Sequence, residues 1–157
     1  MEENLRMAKP DVSKEEMEAV LQKVNLLGFL QTQDGLQTKL QEKAGNLSGG
    51  QCQRLVIARA LLKDAEVYIF DEATSNIDVE SEELIMDVIH VLAKKRTVLL
   101  ISHRLANVVK SDRIYFLKDG KIKESGKHEE LMQKNGAYRH LYESQMALEN
   151  YGKRDNR

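Results

Sequence analysis

The chain has 157 residues, of which 41% are hydrophobic and 31% charged, the composition of a globular protein of about one ordinary domain. Its 24 basic and 25 acidic residues give a formal net charge of -1, which excludes the basic surface of a nucleic-acid-binding protein. A single cysteine, Cys52, excludes an internal disulfide framework, and no apolar run reaches the length of a membrane span, so we expect the chain itself not to cross a membrane.

The N-terminal part is predicted to be helical. The pattern Ser-x-x-Glu from Ser13 to Glu16 is typical of a capping box at a helix start. Apolar residues then follow at helical spacing, at Met17, Val20, Leu21 and Val24, and Gly28 is the predicted stop. Residues 29–46 are polar, so loop and short helix both remain open there.

A donor-rich turn precedes the next predicted helix, which runs from Gln51 to Lys63 and is apolar on most sides. The turn is formed by the run Leu47, Ser48, Gly49, Gly50 and Gln51. Its small residues let a ligand approach backbone N–H groups that have no partner at a helix start, which suits a phosphate. The alternative is a glycine-rich turn that only caps the helix, and this segment alone favours the alternative.

Two buried strands are predicted downstream, at Val67–Phe70 and Thr97–Ile101. Both are continuous apolar runs, as expected of strands buried on both faces. The helix between them is predicted to be capped by Asp78, with a buried face of Leu84, Ile85, Val88, Ile89 and Leu92. A short helix is expected from Leu105 to Lys110.

The C-terminal part begins with a predicted hairpin around Asp119-Gly120, a strong signal for a tight turn. Helices are expected near Glu129–Lys134 and Tyr138–Leu148, with His128 as a possible cap for the first and a frayed tail after Tyr151. Strands that alternate with helices predict an α/β fold with a parallel sheet, flanking helices and an antiparallel hairpin.

Polar residues follow both predicted buried strands, Asp71-Glu72 after the first and Ser102-His103-Arg104 after the second. Ligands of open α/β sheets bind beyond the carboxyl ends of the strands. Asp71 could hold Mg²⁺ directly or through water, Glu72 could orient or deprotonate a water, and His103 could bind a phosphate oxygen. Two solvated acids and an ordinary loop histidine are the alternatives when each segment is taken alone.

Together these segments resemble the motifs of ATP-binding-cassette (ABC) ATPases. Residues 46–51 resemble the signature motif, and Val67–Glu72 resembles the Walker B strand with its catalytic glutamate. Ser75–Asp78 is similar to the D-loop, and His103 matches the switch histidine of the H-loop. Four motifs in the family's order make chance agreement very improbable, and the resemblance covers nearly the whole chain.

The resemblance implies a partial P-loop NTPase-like sheet in three parts: 1–50 as helical subdomain with the signature loop, 51–127 as α/β core, and 128–157 as C-terminal helices and tail. It also implies ATP and Mg²⁺ as ligands and a second nucleotide-binding domain, in a homo- or heterodimer, docked head to tail. The resemblance implies that the signature loop contacts the γ-phosphate of ATP held by the partner domain, through Ser48, Gly49, Gly50 and Gln51. It implies that Asp71 binds Mg²⁺ and that Glu72 and His103 are catalytic. It also implies that Ser75 and Asp78 link the two nucleotide sites.

One motif of the family is missing from the sequence. A P-loop reads G-x-x-x-x-G-K-[ST], and none of the Gly-Lys pairs at 120–121, 126–127 and 152–153 is followed by Ser or Thr. The sequence therefore reads as the C-terminal portion of a nucleotide-binding domain, and we expect the isolated chain to be inactive. Strands without their neighbours would have unpaired edges, so we also expect marginal stability or self-association.

The leading functional hypothesis is part of an ABC exporter that couples ATP hydrolysis to transport, bound to a transmembrane domain at the cytoplasmic face of a membrane, the bacterial inner membrane being favoured. One alternative is a non-hydrolysing fragment that acts as a signature-loop module. Another is a non-transport ABC ATPase, which the near-neutral charge disfavours. Cys52, where the family usually has a basic or polar residue, is either a redox-sensitive thiol or a tolerated small residue, and the second interpretation is favoured.

Overall fold

The computed structural model describes the backbone of residues 1–154 and the side chains of residues 1–148. The chain divides into two compact units, Met1–Ile101 and Ser102–Arg157. The tail that the sequence predicts to fray falls partly on residues 155–157, which lie outside the described residues. Among the residues described, no helix is long and apolar enough to cross a membrane. The three-part division of the sequence stays a prediction.

The first unit begins with helices. They are α1 (Glu2–Arg6), α2 (Lys14–Lys23), α3 (Leu27–Gln31) and α4 (Gly49–Leu62), with 3₁₀ turns at Gly35–Gln37 and Glu42–Ala44 before α4. The capping box of α2 is confirmed, because the Ser13 hydroxyl accepts from the Glu16 N–H at 3.1 Å and the Glu16 carboxylate accepts from the Ser13 N–H at 2.9 Å. The predicted stop at Gly28 is wrong. Asn25, at φ 51°, follows the end of α2, and Gly28 lies inside α3.

A two-stranded parallel sheet follows. It contains β1 (Val67–Asp71) and β2 (Thr97–Ile101), joined by α5 (Val79–Ala93), with Val67 opposite Thr97 and Asp71 opposite Ile101. The predicted cap of α5 is confirmed, since Asp78 Oδ1 accepts from the Ser81 N–H at 2.8 Å. The predicted α/β fold with a parallel sheet is therefore confirmed.

The prediction that both strands are buried on both faces is wrong. Tyr68 and Phe70 of β1 are 6% and 7% exposed, whereas Val67 and Ile69 are 56% and 66% exposed. On β2, Leu99 and Ile101 are exposed in the same alternating way. Successive side chains of a strand point to opposite faces, and among the described residues only one face of this sheet is covered.

The core of the first unit joins the helices to the covered face of the sheet. Its members are apolar residues of α1 to α5, the connecting segments and β1, including Leu5, Val12, Met17, Leu21, Leu26, Leu30, Ile57, Tyr68, Phe70, Ile85 and Ile89. On α5 the buried residues are Ser81, Glu82, Ile85, Met86 and Ile89. The predicted Leu84, Val88 and Leu92 are only half-buried, so the helix is rotated relative to the expected face.

The second unit contains a 3₁₀ turn at Leu105–Val108, a hairpin of β3 (Ile114–Lys118) and β4 (Lys121–Gly126), and the helices α6 (His128–Gln133) and α7 (Ala137–Arg154). The hairpin is confirmed, and Asp119 and Gly120 both have positive φ, at 54° and 70°. A tight two-residue hairpin turn of this kind requires the left-handed region at both positions, which Asp and Gly tolerate. The short helix predicted from Leu105 is found as the 3₁₀ turn.

The core of the second unit is built around Tyr138 of α7, which is fully buried. Its hydroxyl and His128 Nδ1 are hydrogen-bonded at 2.8 Å, and its ring meets Phe116 edge-on at 6.2 Å between centroids. Burial raises the pKa of Tyr138 to about 12. The prediction that His128 caps α6 is wrong, because His128 is the first residue inside α6 and Glu130 accepts the Lys127 N–H instead.

Candidate functional site

The predicted signature loop forms the N-terminus of α4, which starts at Gly49. Ser48 and Gln51 form a reciprocal capping box there: the Ser48 hydroxyl accepts from the Gln51 N–H at 3.2 Å, and the Gln51 side chain accepts from the Ser48 N–H at 2.9 Å. In a helix that starts at this residue, the amides of Gly49 and Gly50 have no intrahelical acceptor. Each of the two side chains is thus engaged with the backbone N–H of the other residue, and the glycine amides are the donors suited to an anion.

The same loop packs against the start of α5. A Cβ atom built on Gly50 would lie 2.5 Å from Ser81 Cβ, closer still to Ser81 Oγ, and 3.3 Å from Asp78 Oδ2. A side chain at position 50 has no room unless α5 shifts. A Cβ on Gly49 would meet nothing closer than the Asn76 carbonyl at 3.8 Å. The structure thus brings the predicted signature loop and the predicted D-loop together within one chain.

Arg54, one turn along α4, adds a second connection to this loop. Its Nε donates to the Gly50 carbonyl at 3.3 Å and its guanidinium donates to the Asn25 carbonyl at 2.8 Å. Asn25 is the left-handed residue after α2. Arg54 therefore connects the end of α2 to the first turn of α4.

The predicted acids lie at the carboxyl end of β1. Asp71 is the last residue of the strand and Glu72 follows in the left-handed region at φ 48°, which is uncommon for a non-glycine residue. The Glu72 N–H donates to the Ile101 carbonyl at 3.0 Å, and its carbonyl accepts from the Ser75 N–H at 2.9 Å. Both acidic residues are exposed. This turn ends the strand and leads into the segment Ser75–Asp78.

Asp78 has a local structural role. Hydrogen bonds from the backbone N–H and from the side chain of Ser81 hold the pKa of the Asp78 carboxyl below its usual value. Its Oδ1 is used in this cap of α5. Ser75, three residues earlier, is exposed.

A cation at this site would need ligands from elsewhere. Among the described residues, no group of three or more His, Cys, Asp and Glu residues could hold a metal ion. Mg²⁺ is typically bound in proteins by one or two carboxylates together with waters and substrate phosphates. The exposed Asp71 carboxylate at the strand end fits that kind of binding.

His103 belongs to the second unit and lies in the loop Ser102–Arg104 before the 3₁₀ turn. It is exposed. The Ser102 hydroxyl accepts from the Arg104 N–H at 3.0 Å. The His103 carbonyl accepts from Gln145 of α7 at 2.7 Å. The histidine therefore sits on a backbone segment that is held by side chains on both sides.

Sequence reasoning missed three residues of these loops: Ser81, Arg54 and Gln145. Ser81 had a signal, because it is the third residue after a predicted cap and such a residue donates its N–H to the cap. Arg54 and Gln145 act through contacts with residues far away in the chain, and no local pattern marks them.

Comparisons with known proteins agree with the predicted resemblance. The protein-family model for ABC transporters matches residues 1–75. An uncharacterized ABC transporter ATP-binding protein of Haemophilus influenzae is 52% identical over 149 residues, which are 95% of this chain and 27% of that protein. The ATP-dependent lipid A-core flippase of Francisella tularensis is 45% identical over 135 residues, 85% of this chain and 22% of the flippase.

A solved structure agrees with these relatives. A bacterial Atm1-family ABC exporter with ATP bound superposes with a TM-score of 0.81 at 32% identity, over 90% of this chain and 25% of the exporter chain. The chain thus spans about a quarter of the length of the proteins it matches. The predicted resemblance to ABC transporter ATP-binding proteins is confirmed by these matches, of which those to the relatives and the exporter extend over 85–95% of this chain.

Proposed function

We propose that this chain supplies part of the ATP-hydrolysing domain of an ABC exporter, which couples ATP hydrolysis to transport across a membrane. The observation that carries the proposal lies in the first unit, where the start of α4 packs against the segment that follows the acidic end of β1. Backbone amides for phosphate and carboxylates for a cation and a water are groups that phosphoryl transfer requires. The likeness to an exporter solved with ATP bound supports the proposal.

The signature loop would contact ATP that is held by a second nucleotide-binding domain, docked head to tail. Ser48 and Gln51 are bonded to each other in the capping box. The backbone amides of Gly49 and Gly50 would therefore make the main contacts with the γ-phosphate, helped by the positive end of the α4 dipole. The Ser48 hydroxyl accepts from the Gln51 N–H and still has its O–H to donate to a phosphate oxygen.

Asp71 and Glu72 would have different roles at the strand end. Asp71 would hold Mg²⁺ directly or through water, and the ion when bound would neutralise charge on the phosphates. Glu72 would polarise the attacking water. Its left-handed backbone and its bonds to Ile101 and Ser75 fix where its side chain starts. Such fixed geometry is what positions a base in phosphoryl transfer.

Three further residues have proposed roles. His103 would contact the γ-phosphate from the loop after β2. Asp78, with Ser75, would link the two nucleotide sites across the dimer interface. Because Asp78 Oδ1 caps α5, the contact across the interface would use its other oxygen.

The proposed partners are a second nucleotide-binding domain and the transmembrane domain of an exporter, with no role for nucleic acid. The chain would lie at the cytoplasmic face of a cell membrane through that transporter. The names of the relatives, an ABC transporter ATP-binding protein and lipid A-core flippases, support a membrane transporter of bacteria.

A chimera tests the proposal, in which this chain replaces the matching segment of the Haemophilus influenzae relative. We expect the purified chain alone to be inactive and the chimera to hydrolyse ATP. Glu72→Gln should lower turnover by roughly 10²-fold or more while ATP still binds, because a positioned base contributes about that factor. Glu66→Gln is the matched control, since Glu66 is an exposed acid at the opposite end of β1.

The outcomes separate the hypotheses. A folded chimera that binds ATP and turns it over equally well with Glu72→Gln would contradict the proposed catalytic role. A chain that raises the turnover of a nucleotide-loaded partner domain while the Glu72→Gln chimera remains fully active would favour the signature-loop module instead.

A further inference from the structure

The loop that carries His103 is hydrogen-bonded by a side chain of a distant helix. Gln145 lies on α7 and bonds to the backbone on both sides of Arg104. Its Nε2 donates to the His103 carbonyl at 2.7 Å, and its Oε1 accepts from the Leu105 N–H at 2.9 Å. Both distances are those of well-formed hydrogen bonds.

The chemistry of the two backbone groups fixes the orientation of this amide. A carbonyl can only accept and an N–H can only donate, so the side chain must present a donor to His103 and an acceptor to Leu105. A primary amide offers both at one end. A carboxylate lacks the donor and an ammonium lacks the acceptor. A thioether side chain of similar length has no donor and only a weak acceptor.

The loop also has an internal bond that works with Gln145. The Ser102 hydroxyl accepts from the Arg104 N–H at 3.0 Å and is equally close to the Arg104 carbonyl. Leu105, where the 3₁₀ turn begins, is buried. The backbone on either side of His103 is thus fixed, from within the loop by Ser102 and from α7 by Gln145.

We propose that Gln145 is a positioning residue for His103: it sets the backbone at the histidine and so directs the imidazole toward the nucleotide without touching the nucleotide itself. The inference rests on the proposed role of His103 in ATP hydrolysis. It makes α7 part of the catalytic apparatus, because this helix is anchored by the buried Tyr138 and also carries Gln145. We call the two bonds from Gln145 to the loop the clamp. Small errors in the placement of a catalytic group lower the rate strongly.

Amide exchange in the 157-residue chain tests the clamp without any need for activity. Gln145→Met keeps the length of the side chain and removes both bonds, so exchange of the Leu105 amide should accelerate by roughly fivefold or more, the value of a typical net hydrogen bond. Gln145→Glu keeps the acceptor, so the Leu105 amide should stay protected. The ¹⁵N shift of Arg104, whose peptide group contains the His103 carbonyl, should change in both variants.

Ser144→Ala is the matched control. Ser144 is the neighbour of Gln145 on α7, and its hydroxyl donates within that helix to the His140 carbonyl at 2.7 Å. We expect wild-type exchange at Leu105 and a wild-type shift at Arg104. Unchanged exchange and shift in Gln145→Met would overturn the inference. If Gln145→Met fails to fold, Gln145→Glu decides through the Arg104 shift, which must then differ from wild type.

Kinetics in the chimera supply the functional readout. Gln145→Met should lower kcat by roughly tenfold and change KM for ATP much less, because it misplaces a group that acts in the transition state. Wild-type kcat in that variant, beside a strong loss in Glu72→Gln, would overturn the inference and leave the proposed function intact. If the unaltered chimera has no ATPase activity, the proposed function fails and the exchange data alone decide on the clamp.

Discussion

The two faces of the β1–β2 sheet are made of similar residues and have opposite surroundings. Phe70 lies in the core at 7% exposure, while its neighbour Ile69 is 66% exposed. Both are large apolar side chains in the middle of one strand. This contrast shows that burial in this chain depends on which helices cover a position, and that the residue type alone does not determine whether a side chain is buried.

The same contrast recurs elsewhere in the chain. Gly50 is covered by Ser81 while Gly49 is open. Tyr138 is fully buried while Tyr115 of β3 is 53% exposed. Each pair compares like residues in different surroundings, so a substitution at the open position serves as the control for the covered one.

The largest effect is expected on the sheet. Phe70→Ala should lower the free energy of unfolding by about 3–5 kcal/mol, because it leaves a cavity among core side chains. Ile69→Ala should cost less than about 1 kcal/mol, as an exposed substitution does. Urea unfolding of both variants measures the difference. Equal losses would mean that the open face is covered in solution.

The open face also motivates the predicted self-association of the isolated chain. We expect its mass in sedimentation to rise with concentration and Ile69→Lys combined with Leu99→Lys to lower that rise, because both exposed side chains lie on this face. A chain that stays monomeric and unfolds in one cooperative transition at high temperature would contradict the prediction.

The two glycines of α4 give the next effect. Gly50→Ala should destabilise by about 1–3 kcal/mol, because the new methyl group overlaps Ser81. Gly49→Ala has room and should be neutral or stabilise by up to about 1 kcal/mol through helix propensity. Thermal unfolding measures both. Combining Gly50→Ala with Ser81→Gly should recover part of the loss, and a purely additive result would show that the clash lies elsewhere.

Much of the fold was predictable because its signals are local. The capping box at Ser13, the cap at Asp78 and the hairpin at Asp119-Gly120 depend on residues a few positions apart, and each is found. The stop at Gly28 failed because Asn25 can also adopt the left-handed conformation and comes first. The open sheet face was missed because an apolar run has the same composition whether one or both faces are covered.

The candidate site was also predictable in part. The loop at Gly49, the acids at the end of β1 and the loop of His103 could be placed from the sequence, since each lies directly at the end or start of an element. The contact of Gly50 with Ser81 and the clamp by Gln145 could not, because both depend on how separate elements pack.

The comparison of Tyr138 with Tyr115 should give a smaller effect on stability. Tyr138→Phe removes the hydrogen bond to His128 and should cost about 1 kcal/mol, whereas Tyr115→Phe should change stability little. In wild type, ultraviolet titration should show one tyrosine that ionises near pH 12, as burial of Tyr138 requires, and that component should vanish in Tyr138→Phe. Loss of that component in Tyr115→Phe instead would reverse the assignment.

The smallest effect concerns the exposed cap at Asp78. The hydrogen bonds from Ser81 lower its pKa in the folded chain below the usual 3.8. The charged carboxylate therefore adds stability that is fully present above the unfolded value and is lost as the pH falls through the folded value. Asp78→Asn keeps a capping oxygen without the charge, so it should be less stable than wild type near neutral pH. The two proteins should converge in unfolding experiments as the pH falls from neutral through the folded pKa of Asp78. A stability difference that stays constant over that range would show that the Ser81 N–H bonds equally well to a neutral acceptor, and that the carboxylate charge contributes nothing to the cap.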